Sequence, residues 1–287
     1  MSDLDSTQAH IHSSFYRFVA LAEPESVAAR LRELSQPSTG IGGNILVAPE
    51  GISAAIAGPA DALATFEQAL QSDPLFGGAF VGMVFKHSAC TTKPFTLIKV
   101  HTKPEIVAFG VAGVSGLPDA SKPDTHVSPA RWRELIKQPD VLVLDNRNSF
   151  EFKLGHFEGA VDPKVAHFRD FPAYVTEHAD EWKAKGQRIA MYCTGGIRCE
   201  KTSAWMQDQG LDVYQLDGGI VSYFEALRDD PTPAAVDWKG ECFVFDKRIA
   251  IDTHLQETAT TAEDVYAGEP DEAWRLARAR RLDPSGK

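Results

Sequence analysis

The feature that most constrains this chain is a cysteine followed by two glycines, placed between an apolar segment and an amphipathic one. Residues 187–192 predict a strand and residues 198–209 predict a helix, so Cys193 lies where a strand passes into a helix. Gly195 and Gly196 allow the backbone between them to curl until successive N–H groups point at one centre, as they do in anion sites at helix N-termini. The pattern therefore predicts a loop that holds an anion.

A thiolate on Cys193 is the simplest such anion. The helix end, the loop N–H groups and the charge of Arg198 would lower its pKa from about 8.5 to roughly 3.5–7.5. The predicted cradle consists of Thr194, Gly195, Gly196, Ile197 and Arg198. This ring is shorter than the phosphate cradle of cysteine phosphatases, and it suits a sulfur-sized group such as the terminal sulfur of a persulfide. The alternative is a cysteine that only fills space in the core.

The loop sequence Cys-Thr-Gly-Gly-Ile-Arg-Cys-Glu-Lys, residues 193–201, resembles the active loop of rhodanese domains. It is most similar to that of the bacterial rhodanese-related tRNA uridine(34) hydroxylase family. Further similar segments lie at residues 85–88, 93–95, 97–100 and 241–248, whereas residues 50–54 read Glu-Gly-Ile-Ser-Ala where the family usually has Glu-Gly-Ile-Asn-Gly. The resemblance implies 5-hydroxylation of the wobble uridine of tRNA, with molecular oxygen as co-substrate and Cys193 as the essential residue.

The order of predicted elements indicates two fold classes in one chain. Strands and helices alternate as β-α-β-β-α-β near the N-terminus, which predicts an α+β ferredoxin-like domain of four antiparallel strands, the last at residues 79–86. Farther along, single strands alternate with helices, which predicts an α/β rhodanese domain with a doubly wound parallel sheet.

The expected organisation has five parts. They are a disordered N-terminus (1–14), the ferredoxin-like domain (15–110), a connector (111–125), the rhodanese catalytic domain (126–230) and a C-terminal extension or tail (231–287). Since the start has no signal-peptide pattern and no apolar run is long enough to span a membrane, we expect a cytoplasmic protein without a membrane partner.

The net charge of −11 disfavours diffuse binding of nucleic acid, so any contact with RNA must be local. Residues 74–104 contain no acidic residue but do contain Lys86, Lys93, Lys99 and Lys103. These lysines could face an RNA backbone, or they could simply lie on the solvent-exposed face of the strands. A basic helix over residues 273–281 is a second candidate surface, with Arg275, Arg278, Arg280 and Arg281.

Asp145 and Arg147 follow a buried strand, where α/β sites collect their functional residues. We expect this pair to brace the neighbouring active loop rather than to take part in the chemistry. Cys199 could resolve an oxidised or persulfidated Cys193, although an inward-packing helix residue is the more common role.

Three functions stay open from the residues alone. The first is the tRNA hydroxylase that the resemblance implies, and the second is a sulfurtransferase, in which Cys193 takes sulfur from a donor, forms a persulfide and passes the sulfur on. The third is a persulfide-carrying or redox-sensing module with Cys199 as the resolving thiol. No metal-ligand cluster, flavin fingerprint or haem motif is visible, so no cofactor is evident in the sequence.

Overall fold

The computed structural model describes residues 10–91, 93–228 and 237–282. The chain divides into two compact units, residues 1–107 and residues 108–287.

The described part of the first unit contains a five-stranded sheet with the strand order β4-β1-β3-β2-β5. Its elements are β1 (His10–Phe18), α1 (Pro24–Leu34), β2 (Gly42–Ala48), β3 (Gly51–Pro59), α2 (Ala60–Ser72), β4 (Lys86–Cys90) and β5 (Ile98–Thr102). Strands β1 to β4 pair antiparallel, as the ferredoxin-like prediction requires, and β5 adds a parallel edge strand beside β2.

Both helices of the first unit bury one stripe of apolar side chains in a common core. Pro24 opens α1, because its missing N–H is one that a first helical turn leaves unpaired. The stripes recur at helical spacing and contact apolar side chains of β2 and β3. The helical contributors are Val27, Ala28, Leu31, Leu63, Phe66 and Leu70.

Two expectations for this unit were wrong. Residues 10–14 are not disordered but belong to β1, where the buried Ser13 hydroxyl donates to Glu67 Oε1 at 2.6 Å. Polar residues fit this strand because their hydrogen bonds are satisfied inside the unit, which apolar alternation alone does not reveal. Residues 79–82 form turns and residues 83–85 are irregular, so the strand begins only at Lys86; Gly77, Gly78 and Gly82 adopt positive φ angles.

The second unit contains a parallel sheet with the strand order β6-β10-β9-β7. Its elements are β6 (His126–Val127), α3 (Pro129–Leu135), β7 (Val141–Asp145), α4 (Ser149–Leu154), β8 (Gly155–Phe157), α5 (Phe171–Ala184), β9 (Arg188–Tyr192), α6 (Ile197–Asp208), β10 (Val213–Leu216), α7 (Gly219–Arg228), β11 (Trp238–Gly240), β12 (Cys242–Phe243), β13 (Ala250–Ile251), α8 (Ala262–Tyr266) and α9 (Ala273–Leu282).

The register of this sheet positions the active loop. Asp145, the last residue of β7, pairs with Tyr192, the last residue of β9. Because neighbouring parallel strands end at the same edge, the segment after β7 lies beside the cysteine loop after β9.

The predicted connector and tail both pack as parts of the second unit. Phe109 is fully buried against Phe168 and Trp205, so the chain joins this unit before residue 111. In the extension, β11 pairs with β8, and its Trp238 packs perpendicular to Phe157. In the extension, burial of the large Trp238 side chain outweighs the conformational freedom of a tail. Residues 1–9 of the predicted N-terminus, and residues 231–236 and 283–287 of the predicted tail, lie outside the described residues.

Candidate active site

The cysteine loop folds as the sequence predicts, with the sulfur at the start of a helix. Cys193 follows β9, Gly196 precedes α6 with a φ of 100°, and the Gly196 N–H points back to Cys193 Sγ at 3.1 Å. A non-glycine residue rarely adopts that φ, so Gly196 permits the turn that aims its N–H inward. The sulfur therefore meets the positive end of the helix dipole.

A second glycine turn holds the outer side of the loop. The N–H groups of Ile220 and Val221 donate to the carbonyl oxygens of Cys193 and Thr194, at 3.0 and 3.1 Å. A Cβ on Gly219 would lie only 2.4 Å from the Cys193 oxygen, so no other residue allows α7 to approach this closely. The loop carbonyls are thus turned outward, away from the sulfur.

These surroundings stabilise the Cys193 thiolate. Burial by itself would raise the pKa, but the Cys199 thiol hydrogen bond, the charge of Arg198 and the backbone N–H groups of both residues lower the pKa to about 5. By contrast, burial raises the pKa of Cys242 to about 12 and that of Cys199 well above its ordinary range. Of these three thiols, only Cys193 is an anion at neutral pH.

The Arg198 side chain was expected to donate to the anion in the cradle, but its guanidinium is bonded to a carboxylate. Its guanidinium makes a two-pronged ion pair with Glu151 of α4, with Nη1 2.8 Å from Oε2 and Nη2 2.8 Å from Oε1. Glu151 is fully buried and Arg198 is 7% exposed. Arg198 thus reaches Cys193 through its charge and its backbone N–H, while a side-chain contact of 3.4 Å goes to Thr194 Oγ1.

Glu151 and Asn146 also contact residues around the sulfur, and the sequence predicted a role for neither of them. The spacing of Asn148 and Glu151 matches a capping box, and this pattern could have indicated a carboxylate at the start of α4. Asn146 donates through Nδ2 to Thr202 Oγ1 at 2.8 Å and approaches Cys199 Sγ at 3.8 Å. It therefore orients the thiol that donates to Cys193.

Asp145 and Arg147 form a fully buried ion pair beside the loop. Arg147 Nη2 lies 2.6 Å from Asp145 Oδ2 and 2.6 Å from the Gly155 oxygen. The guanidinium lies 5.5 Å from the ring centres of both Tyr192 and Trp238. Since Tyr192 directly precedes Cys193, this arrangement is compatible with the bracing role, which stays a prediction.

His126 connects the start of α6 to the sheet. Its Nε2 lies 2.8 Å from Glu200 Oε1, and its Nδ1 lies 2.6 Å from Asp124 Oδ1. The hydrogen bond to Glu200, together with the charges of both carboxylates, outweighs burial and raises the pKa of His126 to about 9. The first turn of α6 is thus tied to β6 by a charged histidine at neutral pH.

Access to the sulfur requires movement, because Cys193 has no exposed surface in this structure. Within the described ranges, no three or more His, Cys, Asp or Glu side chains are grouped so that they could hold a metal ion. None of the helices in those ranges has the length and apolar character of a transmembrane span. The arrangement can supply a buried thiolate nucleophile once its surroundings open.

The four predicted RNA-binding lysines do not form one cluster in the first unit. Lys86 lies in β4 at one edge of the sheet, whereas Lys99 lies in β5 at the opposite edge. Four strand spacings separate the two edges, or about 19 Å. Lys93 and Lys103 are exposed in the segments that flank β5. The RNA-binding role of these lysines stays a prediction.

The predicted basic helix is present as α9, and acidic side chains contact two of its four arginines. Arg280 makes a two-pronged pair with Glu263, at 2.6 and 2.9 Å, and Arg275 pairs with Glu272.

Comparison with known proteins agrees with both units. Residues 10–106 match the UPF0176 acylphosphatase like domain, and residues 128–226 match the Rhodanese-like domain. A protein of Synechococcus elongatus named tRNA uridine(34) hydroxylase is 43% identical over 244 residues, which are 85% of this chain and 86% of that protein. Proteins of the same name from Jannaschia sp. and Anaplasma marginale are 41% and 38% identical, over 86% and 93% of this chain and 78% and 92% of theirs. The chain therefore belongs to the tRNA uridine(34) hydroxylase family.

Proposed function

We propose that this protein hydroxylates C5 of the wobble uridine, uridine 34, of tRNA. The observation that carries the proposal is the match to proteins named tRNA uridine(34) hydroxylase, which spans both units at 43% and 41% sequence identity. The buried thiolate of Cys193 supplies a reactive group of the kind that such chemistry needs. Because tRNA is the proposed substrate, we also propose that the protein acts in the cytoplasm.

The proposed reaction replaces the C5–H bond of uracil by a C5–OH bond. One atom of molecular oxygen enters the base, and the other leaves as water. The two further electrons and two protons come from a thiol-class reductant, which is oxidised to a disulfide. Within this scheme Cys193 is the catalytic nucleophile, Arg198 supports its negative charge, and Glu151 keeps Arg198 in position.

The test is nucleoside analysis of tRNA from cells that lack the gene. We expect 5-hydroxyuridine and its derivatives to be restored by the wild-type gene and not by Cys193→Ser, since a hydroxyl is not ionised at neutral pH. Circular dichroism of the purified variant checks that it is folded. Restoration of wild-type levels by Cys193→Ser would refute the assignment of the nucleophile.

The same experiment separates hydroxylation from sulfur transfer. The loop that aims the Gly196 N–H at Cys193 Sγ would also suit a persulfide, so a sulfurtransferase is the second candidate. Adding an oxygen to the base and exchanging an oxygen for a sulfur change the nucleoside mass by nearly the same amount. Cells are therefore grown under isotopically labelled oxygen gas: a labelled nucleoside supports hydroxylation, and an unlabelled, sulfur-containing one supports sulfur transfer.

A further inference from the structure

The C-terminal extension presents an exposed phenylalanine at the tip of the turn between β12 and β13. Phe245 is 56% exposed. Among the large apolar residues of the described ranges, only two exposed ones are aromatic, Phe245 and Trp274, and both belong to the extension. Exposing a ring of this size forfeits burial energy, so the position calls for an explanation.

The turn that carries Phe245 is held rigidly. The Val244 N–H donates to the Ile249 oxygen at 2.8 Å, and the Ile249 N–H donates to the Asp246 oxygen at 3.1 Å. Asp246 and Arg248 form an ion pair whose side chains are each only 2% exposed. Ile249 has a φ of 61°, a strained conformation for a β-branched residue. The strained Ile249 backbone and the exposed Phe245 ring therefore both cost folding free energy.

Phe245 lies directly beside the active site. The Arg198 guanidinium carbon is 6.0 Å from the centre of the Phe245 ring. This is the arginine whose charge lowers the pKa of Cys193. The Phe243 ring packs nearly perpendicular to the Phe245 ring, with the two ring centres 4.9 Å apart. The centre of the Phe243 ring also lies 5.0 Å from that of Phe150. Phe150 precedes Glu151 in α4, so one continuous set of contacts connects the exposed ring to the ion pair beside the sulfur.

The same set of contacts continues to the second exposed ring. The Arg275 guanidinium carbon lies 4.8 Å from the Phe150 ring and 4.4 Å from the Trp274 ring. Trp274 is 46% exposed, and Lys247, two residues after Phe245 in the same turn, is also exposed. Exposed rings interleaved with cations are the usual composition of surfaces that bind single-stranded nucleic acid, because bases stack on the rings while cations meet phosphates.

We propose that Phe245 is the surface on which a base of the tRNA substrate stacks as it approaches Cys193. The inference rests on the proposed function, since it takes the substrate to be RNA. Enzymes that modify a base take it out of its stack, and the base then needs a new stacking partner close to the reacting group. Phe245 offers such a partner beside Arg198 and Cys193. Lys247 would contact a flanking phosphate.

The test compares Phe245→Ala, Phe245→Tyr and Phe245→Leu in filter binding of unmodified tRNA at one fixed salt concentration. Stacking on an aromatic side chain is worth about 1–3 kcal/mol per base, so Phe245→Ala should weaken binding by roughly 5- to 150-fold. Phe245→Tyr should restore binding, and Phe245→Leu should not, because leucine keeps the apolar bulk without a π face. The matched control is Leu75→Ala, which removes another exposed apolar side chain, 52% exposed, and should change nothing.

A second measurement separates stacking from a structural effect. The circular dichroism spectrum of Phe245→Ala should be the same as that of the wild type. Full binding by Phe245→Ala, full rescue by leucine, or an equal loss in Leu75→Ala would overturn the inference. The proposed function is judged separately by 5-hydroxyuridine formation in the wild type, so it can stand while the stacking role fails.

Discussion

Removing the thiol of Cys199 should raise the pKa of Cys193, and the structure indicates by how much. Cys193 has a pKa of about 5 against an ordinary value of 9.0, a difference worth about 5 kcal/mol of stabilisation of the thiolate. Burial acts against this, and the Cys199 thiol hydrogen bond is the largest favourable contribution. A hydrogen bond to a charged group is worth about 1.5–3 kcal/mol, so Cys199→Ala should raise the pKa by about 1–2.

The assay follows the ultraviolet absorbance of the thiolate against pH, with the corresponding Cys193→Ser protein subtracted each time. Cys199→Ser is the matched variant, because its hydroxyl still donates to the sulfur while its size hardly changes. We expect the titration of Cys199→Ser to stay close to that of the wild type and that of Cys199→Ala to move to higher pH. Equal midpoints for wild type and Cys199→Ala, or equal shifts in both variants, would refute the argument that the thiol donates to the thiolate.

The remaining predictions concern stability and RNA. Arg198→Ala leaves the carboxylate of Glu151 buried without its partner and should cost about 3–5 kcal/mol in urea unfolding, whereas the same substitution made together with Glu151→Gln should cost less. The pKa of His126 is raised in the folded state, so its contribution to stability is complete below about pH 6.5 and is lost as the pH rises through about 9; because the side chain is 37% exposed we expect only about 1 kcal/mol, absent in His126→Gln. Lys86→Glu and Lys99→Glu, at opposite edges of the sheet, test the two lysines separately: each one that contacts a phosphate should reduce the slope of the salt dependence of tRNA binding by about one unit, and an unchanged slope would refute that contact.

The active loop could be predicted from sequence because its determinants are local. Cys193, Gly196 and Arg198 lie within six consecutive residues, and their geometry follows from a strand end, a glycine turn and a helix start. The partner of Arg198 could not be predicted in the same way. Glu151 is 47 positions away, and only the pairing of β7 with β9 brings α4 beside the loop.

The same distinction explains the differences in the fold. The ferredoxin-like order followed from periodic apolar stripes, whereas the start of β1 is polar and depends on a hydrogen bond from Ser13 to Glu67 across 54 positions. The absence of acidic residues from positions 74–104 can be read from the sequence. The separation of Lys86 from Lys99 cannot, because it arises from the positions of β4 and β5 at opposite edges of the sheet. Patterns along the chain predict elements well; which elements become neighbours is decided by packing.

Burial of an ionised sulfur has a consequence for how the site is used. With a pKa of about 5, about 99% of Cys193 is thiolate at pH 7, and an exposed thiolate of this kind would react with any oxidant in solution. Because the side chain is fully buried, its charge state and its accessibility are controlled separately. Arg198 stabilises the thiolate on one side, and on the other its guanidinium carbon lies 6.0 Å from the centre of the Phe245 ring. A base that stacks on Phe245 would therefore lie beside the arginine that keeps the sulfur charged, so that the substrate would bind next to the group it must reach.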